Sequence, residues 1–134
     1  MMRRMTLDEL TRRVNRGMIG FDLVLGAATV LAPRATLRAL GHDEPSPEAI
    51  ALFRRNGPIW LTFVGAHAVA DLRGDRRDWW ALAWLRGIEW GADPVWSRSP
   101  GLTRPGARLT LRGTGLANVA MSLGFARAAR RARG

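Results

Sequence analysis

Residues 57–72 read GPIWLTFVGAHAVADL, and the character of this stretch decides the fold. Up to Ala70 it holds only apolar and small residues apart from Thr62 and His67. A helix in a soluble bundle keeps a polar face for water, and this one has none. Residues 113–126 repeat the pattern, interrupted only by Thr114, Asn118 and Ser122. Residues 17–33 carry one charge, Asp22. Segments apolar nearly all round belong inside protein or inside lipid.

Start and stop signals extend these segments into helices. Thr6 with Glu9 forms a capping-box pattern and opens a short basic helix. Leu7, Leu10 and Val14 fall on one of its faces and Arg12, Arg13 and Arg16 on another, which suits an anionic membrane surface. Gly41 is placed to stop the first apolar helix. Ser46 and Pro47 open the second as N-cap and first helical residue, Pro58 kinks or divides it, and Gly74 ends it. Asp78 caps the third, which closes near Ala92 ahead of Pro94. The expected fold is all-α: a four-helix transmembrane bundle with both termini cytoplasmic. It consists of a cytoplasmic amphipathic segment, 1–16, and a membrane domain, 17–131, with helices near 17–40, 47–73, 78–93 and 106–131.

A chain of 134 residues makes one domain. Its formal net charge is +10, every basic residue is Arg, and it has no Cys. Arg in place of Lys, with abundant Ala, Gly and Leu, reflects the coding bias of a GC-rich bacterial genome. Absence of Cys excludes disulfides, thiolate catalysis, iron–sulfur clusters and Cys-type zinc sites. Six Trp accompany no Tyr, and Trp favours the membrane interface.

The competing architecture is a soluble four-helix bundle. In its favour, the mean hydropathy is only -0.09, and no uncharged run reaches the roughly 18–20 residues of a full span. Against it stand small residues at four-residue spacing, as in Gly87 with Gly91, Gly113 with Ala117 and Ala120 with Gly124, which permit close helix approach in lipid. Arg residues also gather at segment ends, where they can snorkel. With the N-terminus inside, the inner flanks hold twelve Arg and the outer flanks eight. That bias favours an inner (plasma) membrane, multi-pass protein. The Arg residues are spread over every loop and the Trp residues sit inside apolar runs, so nucleic acid is not an expected partner. Expected partners are membrane lipid, a lipophilic small molecule, and a second copy or another membrane protein.

Ionisable residues inside apolar segments are costly, so they are the first candidates for function. Asp22 stands alone in the first segment. His67 and Asp71 share a face of the second. Arg86, Glu89 and Asp93 form a stripe on the third. Glu89 and Asp93 are like charges one turn apart, with Arg86 able to neutralise one. A protonated carboxyl beside an ionised partner in a dry pocket is an acid–base arrangement. Glu89 would donate or accept the proton, with Arg86 tuning it and Asp22 and His67 opposite. Trp60, Trp84, Trp90 and Asn118 are candidates to wall a substrate pocket. The structural alternative is equally concrete. Arg86 and Glu89 can form an intrahelical ion pair, Asp71 and Asp93 can sit at the water interface, and Trp84 and Trp90 can face lipid. No metal is expected, since the five O and N candidates include no Glu-x-x-His pair. No cofactor motif is present.

The second helix is the basis of a family resemblance. Residues 52–57 (LFRRNG) lead into the apolar run, and residues 71–77 (DLRGDRR) make an Arg-rich turn before a third helix with polar residues at its middle. With the four-helix layout, this pattern over about residues 17–128 resembles the DoxX-like group of small bacterial membrane proteins. The resemblance implies a membrane fold and links to quinone-coupled oxidoreductases or biosynthetic pathways. It assigns no catalytic residue. The expected function is an acid–base isomerase or cyclase acting on a terpenoid, polyketide or quinone-like substrate. The alternative is a non-catalytic membrane subunit of a redox or transport complex.

Overall fold

A computed structural model describes residues 6–132, which form α-helices joined by short turns. The helices are α1 (Leu7–Leu31), α2 (Pro33–Ala39), α3 (Pro47–Arg54), α4 (Asn56–Arg73), α5 (Arg76–Trp96) and α6 (Pro105–Arg131). Arg3, Arg4 and Arg133, and residues 1–5 of the expected N-terminal segment, lie outside the described residues.

Local chemistry accounts for the boundaries. The Thr6 hydroxyl accepts from the Glu9 N–H at 3.2 Å, and the Thr6 N–H donates to the Glu9 carboxylate at 2.8 Å. The helix so opened does not stop at residue 16 but runs unbroken to Leu31. Its end comes before Pro33, which has no N–H to continue the ladder. The Thr36 hydroxyl covers the carbonyls of Ala28 and Ala32 there, at 3.0 and 2.9 Å. Gly41 and Gly74 take positive φ, at 107° and 68°, and turn the chain after α2 and α4. Ser46 caps α3 and Pro47 starts it. Arg55 alone separates α3 from α4, and Pro58 falls in the first turn of α4, where no N–H is required. Two expectations are corrected at α5. It begins at Arg76 behind Asp75, not at Trp79 behind Asp78. It also continues through Pro94 to Trp96, with the Ser97 hydroxyl donating to the Pro94 carbonyl at 2.8 Å.

The four long helices form a ring in the order α1, α4, α5, α6, with α1 packed mainly on α4 and α5 mainly on α6. The diagonal pairs α1/α5 and α4/α6 do not meet backbone to backbone. Helices α2 and α3 close one end of the ring. The other end gathers the start of α1, the α4–α5 turn and the end of α6, tied by Arg16–Asp71 and Arg131–Asp8 ion pairs at 3.0 and 2.8 Å. The α1–α4 crossing is tight: a Cβ on Gly57 would meet Val30 Cγ2 at 2.5 Å and the Gly26 carbonyl oxygen at 2.9 Å.

Two apolar clusters sit at the ends of the ring. One joins Ala70, Trp79, Leu82, Ala83, Phe125 and Ala129. The other joins Leu37, Phe53 and Trp60, with Phe63 and Trp96 against them. Between them the interior is polar. Among the described residues, α1 is the one helix long and apolar enough by composition to cross a membrane.

Candidate functional site

The polar interior is built by residues seven apart on each long helix. On α1 these are Asn15, Asp22 and Thr29; on α5, Trp79, Arg86 and Asp93; on α6, Leu111, Asn118 and Phe125; on α4, Trp60 and His67. All are buried. Seven residues are nearly two turns, so each set stays on one stripe facing the bundle axis.

The centre is an ion-pair network that crosses the diagonal. Arg86 Nη2 donates to Asp22 Oδ2 in a short hydrogen bond. The same guanidinium reaches His67 Nε2, with Nη2 at 2.7 Å and Nε at 3.2 Å. On its other side His67 Nδ1 lies 2.6 Å from Asn15 Oδ1, while Asn15 Nδ2 donates to the His67 carbonyl at 3.1 Å. These contacts settle the imidazole tautomer. The Asn15 amide nitrogen is committed to a carbonyl, so its oxygen must accept from His67 Nδ1–H. Nε2 is then the bare nitrogen, free to accept from Arg86. His67 is a neutral bridge, and Asp22 with Arg86 is a charge pair excluded from water, with side chains 1% and 4% exposed. The Arg86 guanidinium also stands 5.6 Å over the Phe63 ring. Removing two charges from water is costly, and extra hydrogen bonds of this kind offset the cost.

A second polar group lies further along α5. Asn118 Nδ2 donates to Asp93 Oδ2 at 3.0 Å, and both residues are buried. Asn118 Oδ1 is buried without a hydrogen-bond partner. Glu89 is half-buried one turn from Asp93 and feels the charges of Asp93, Arg86 and Asp22. Among the described residues it makes no hydrogen bond or ion pair.

The structure thus brings Asp22, His67 and Arg86 together and sets Glu89, Asp93 and Asn118 beside them. Asp71 is apart: it takes both its carboxylate oxygens to Arg16 Nε at 3.0 Å near the surface. Trp60 is buried in the aromatic cluster with Phe53, 5.7 Å away. Trp84 and Trp90 point outward, 71% and 52% exposed, and line neither of the two cavities at the α2–α3 end. Asn15 was not among the residues singled out in the sequence, although its spacing from Asp22 and Thr29 marks it. Two surface cavities, one lined by Leu37, Phe53 and Trp96 and the other by Pro33, Pro47 and Ile50, are not lined by Asp22, His67, Arg86 or Glu89. Both lie at the α2–α3 end. Among the described residues no three His, Asp or Glu side chains are grouped to hold a metal ion. Comparison with family models, with curated proteins and with solved structures finds no match to this chain.

Proposed function

We propose that this chain is a multi-pass integral membrane protein that serves as a non-catalytic subunit of a larger membrane assembly. The observation that carries this reading is the set of polar groups buried between the two apolar clusters, beneath large apolar side chains exposed on the outside. The interior holds Asn15, Asp22, His67, Arg86, Asp93 and Asn118. The outside presents Phe21, Val24, Ile59, Trp84, Ile88 and Leu116, each more than half exposed. In water such an arrangement hides polar groups and displays apolar ones, against the usual preference. In lipid both halves are favourable. The central ion pair is closed on itself and lines neither of the two cavities at the α2–α3 end, which fits a clamp between helices better than a reacting centre. The resemblance to DoxX-like proteins points to the same address.

The test has two parts. The protein should stay in the membrane fraction after alkaline carbonate washing and leave it only with detergent. Release without detergent overturns the address. Purified in mild detergent, it should carry a second membrane protein in fixed ratio, and a lone monodisperse chain overturns the subunit role.

One observation favours the acid–base reading as a second proposal. Glu89 is half-buried and has no ion-pair partner among the described residues next to Asp93, and the orphaned Asn118 oxygen calls for a donor such as a carboxylic proton or a water. A deletion strain that accumulates a lipid-soluble precursor, restored by the wild type and not by Glu89→Gln, would establish it. Equal restoration by Glu89→Gln removes it.

A further inference from the structure

A cavity lies away from the charge network, at the end closed by α2 and α3. Its volume is about 720 Å³, a size that suits small ligands. Leu37, Phe53 and Trp96 make its apolar wall, and Arg55, Asn56 and Ser99 supply polar groups.

The wall is rigid. Phe53 packs on Trp60 at 5.7 Å and on Trp96 at 5.9 Å between ring centroids. Trp96 is anchored in turn, its Nε1–H donating to His42 Nε2 at 3.1 Å. The polar side is uncommitted. Some Arg residues of this bundle, such as Arg16, Arg73, Arg86 and Arg104, have carboxylate partners, while others at the surface, such as Arg54 and Arg112, have none among the described residues. Arg55 has none among the described residues, and no Asp or Glu lines the cavity. Asn56 and Ser99 add further hydrogen-bonding side chains to the same cavity. The mouth continues onto an apolar surface, because Leu52 and Ile59, also lining residues, are 63% and 51% exposed.

We propose that this cleft binds an anionic phospholipid. The head-group phosphate sits on Arg55, with Asn56 and Ser99 donating to its oxygens, and one acyl chain leaves along Leu52 and Ile59. A cation with spare N–H groups at one edge and an apolar exit at the other match an amphiphile, whereas a fully polar anion would leave the Phe53–Trp96 wall uncovered. The acyl chain's path rests on the membrane address proposed above, and the two ideas fail separately. Extraction without detergent overturns the address. The cleft is judged by head-group preference and by Arg55.

The experiment is a titration of the detergent-solubilised full chain, followed by tryptophan fluorescence and by native mass spectrometry. The probes are short-chain phosphatidylglycerol, phosphatidylcholine of the same chain length, and inorganic phosphate. Phosphatidylglycerol should bind at least tenfold more tightly than either of the others. Arg55→Gln should abolish that preference, and Arg112→Gln, an exposed Arg on α6 that does not line the cleft, should keep it. Equal binding of the two lipids, equal binding of free phosphate, or an Arg112→Gln effect as large as that of Arg55→Gln overturns the proposal. Arg55 is exposed, so its variant should fold. Ile59→Asn provides a second check: it should weaken the lipid and leave phosphate unchanged.

Discussion

At the scale of single residues, Arg86 carries the largest share of the interior. It is the only cation at the bundle axis among the described residues, and it satisfies Asp22 and His67 together. Arg86→Met keeps much of the volume but leaves Asp22 as an uncompensated buried charge. The expected loss is about 3–5 kcal/mol, read as a lower thermal midpoint in detergent. Combining it with Asp22→Asn should recover part of that loss, because the double variant buries no charge. A double variant as damaged as the sum of the two single ones would show that the pair is not coupled. His42 makes a pH-dependent prediction at the other end. Burial holds its imidazole below the ordinary value of 6.5, with the Gly101 backbone hydrogen bond opposing. The folded protein therefore resists a proton that the unfolded chain accepts. The sign follows: the contribution of His42 is present above about pH 6.5 and is lost as the pH falls. Protonated Nε2 also cannot accept from Trp96. Thermal midpoints should drop from pH 7.5 to 5.5, and His42→Gln, which keeps an acceptor, should flatten that slope.

At the scale of elements, the α1–α4 pair shows how a helix crossing can depend on one atom. Gly57→Ala would push a methyl to 2.5 Å from Val30 Cγ2 and 2.9 Å from the Gly26 carbonyl, and backbone cannot yield cheaply. A loss of about 1–3 kcal/mol is expected. Gly65→Ala, on the same helix with nothing within 4 Å, should be neutral or stabilising by up to about 1 kcal/mol, since Ala is the better helix former. Equal midpoints for the two variants would mean that the crossing is not tight. The positions flagged from sequence were of the right type but not always at the contact. Gly91 and Gly113, picked for four-residue spacing, face open space. Gly26 and Gly57 make the approach and lie on different helices, which no spacing within one helix reveals. Capping chemistry was legible because it is local: Thr6, Ser46 and Gly74 act where their sequence context says. Pro94 was misleading for the opposite reason. The cost of proline inside a helix is met by tertiary packing, and packing is not a local signal. The ionisable residues Asp22, His67 and Arg86 were legible as misfits in apolar runs. Their grouping was legible only in the seven-residue register they share, which also contains Asn15. Asn15 gives no such signal, because it lies between Arg13 and Arg16 in a stretch that reads as surface. The cleft at Arg55 is not legible, since it is assembled from α2, α3, α4, the end of α5 and the residues after it.

At the scale of the whole molecule, the question is which solvent surrounds the bundle. Composition is ambiguous: among the described residues one helix is long and apolar enough to cross a membrane, and the core helix of a soluble protein can pass the same test. The distribution of residues is more telling than their average, because polar side chains such as Asp22, His67 and Arg86 are buried between the two apolar clusters while large apolar ones such as Val24, Trp84 and Leu116 are exposed. Substitutions on the outer face of α6 separate the two solvents. Leu109, Leu116 and Leu123 are 72%, 70% and 68% exposed, at seven-residue spacing on one stripe. In water an exposed Leu→Arg change is worth within about 0.5 kcal/mol and improves solubility. At the centre of a spanning helix it costs about 2.5–3.5 kcal/mol. The cost should also depend on depth. Leu116 lies near the middle of α6, whereas Leu109 lies in its second turn between Arg108 and Arg112, where a longer side chain can reach the interface. Leu116→Arg should therefore sharply reduce the membrane-inserted yield, and Leu109→Arg should leave it close to that of the parent chain. Indifference of the protein to both would mean that water covers this face. An equal penalty at both positions would instead indicate a protein partner along the whole stripe, because lipid alone produces the gradient.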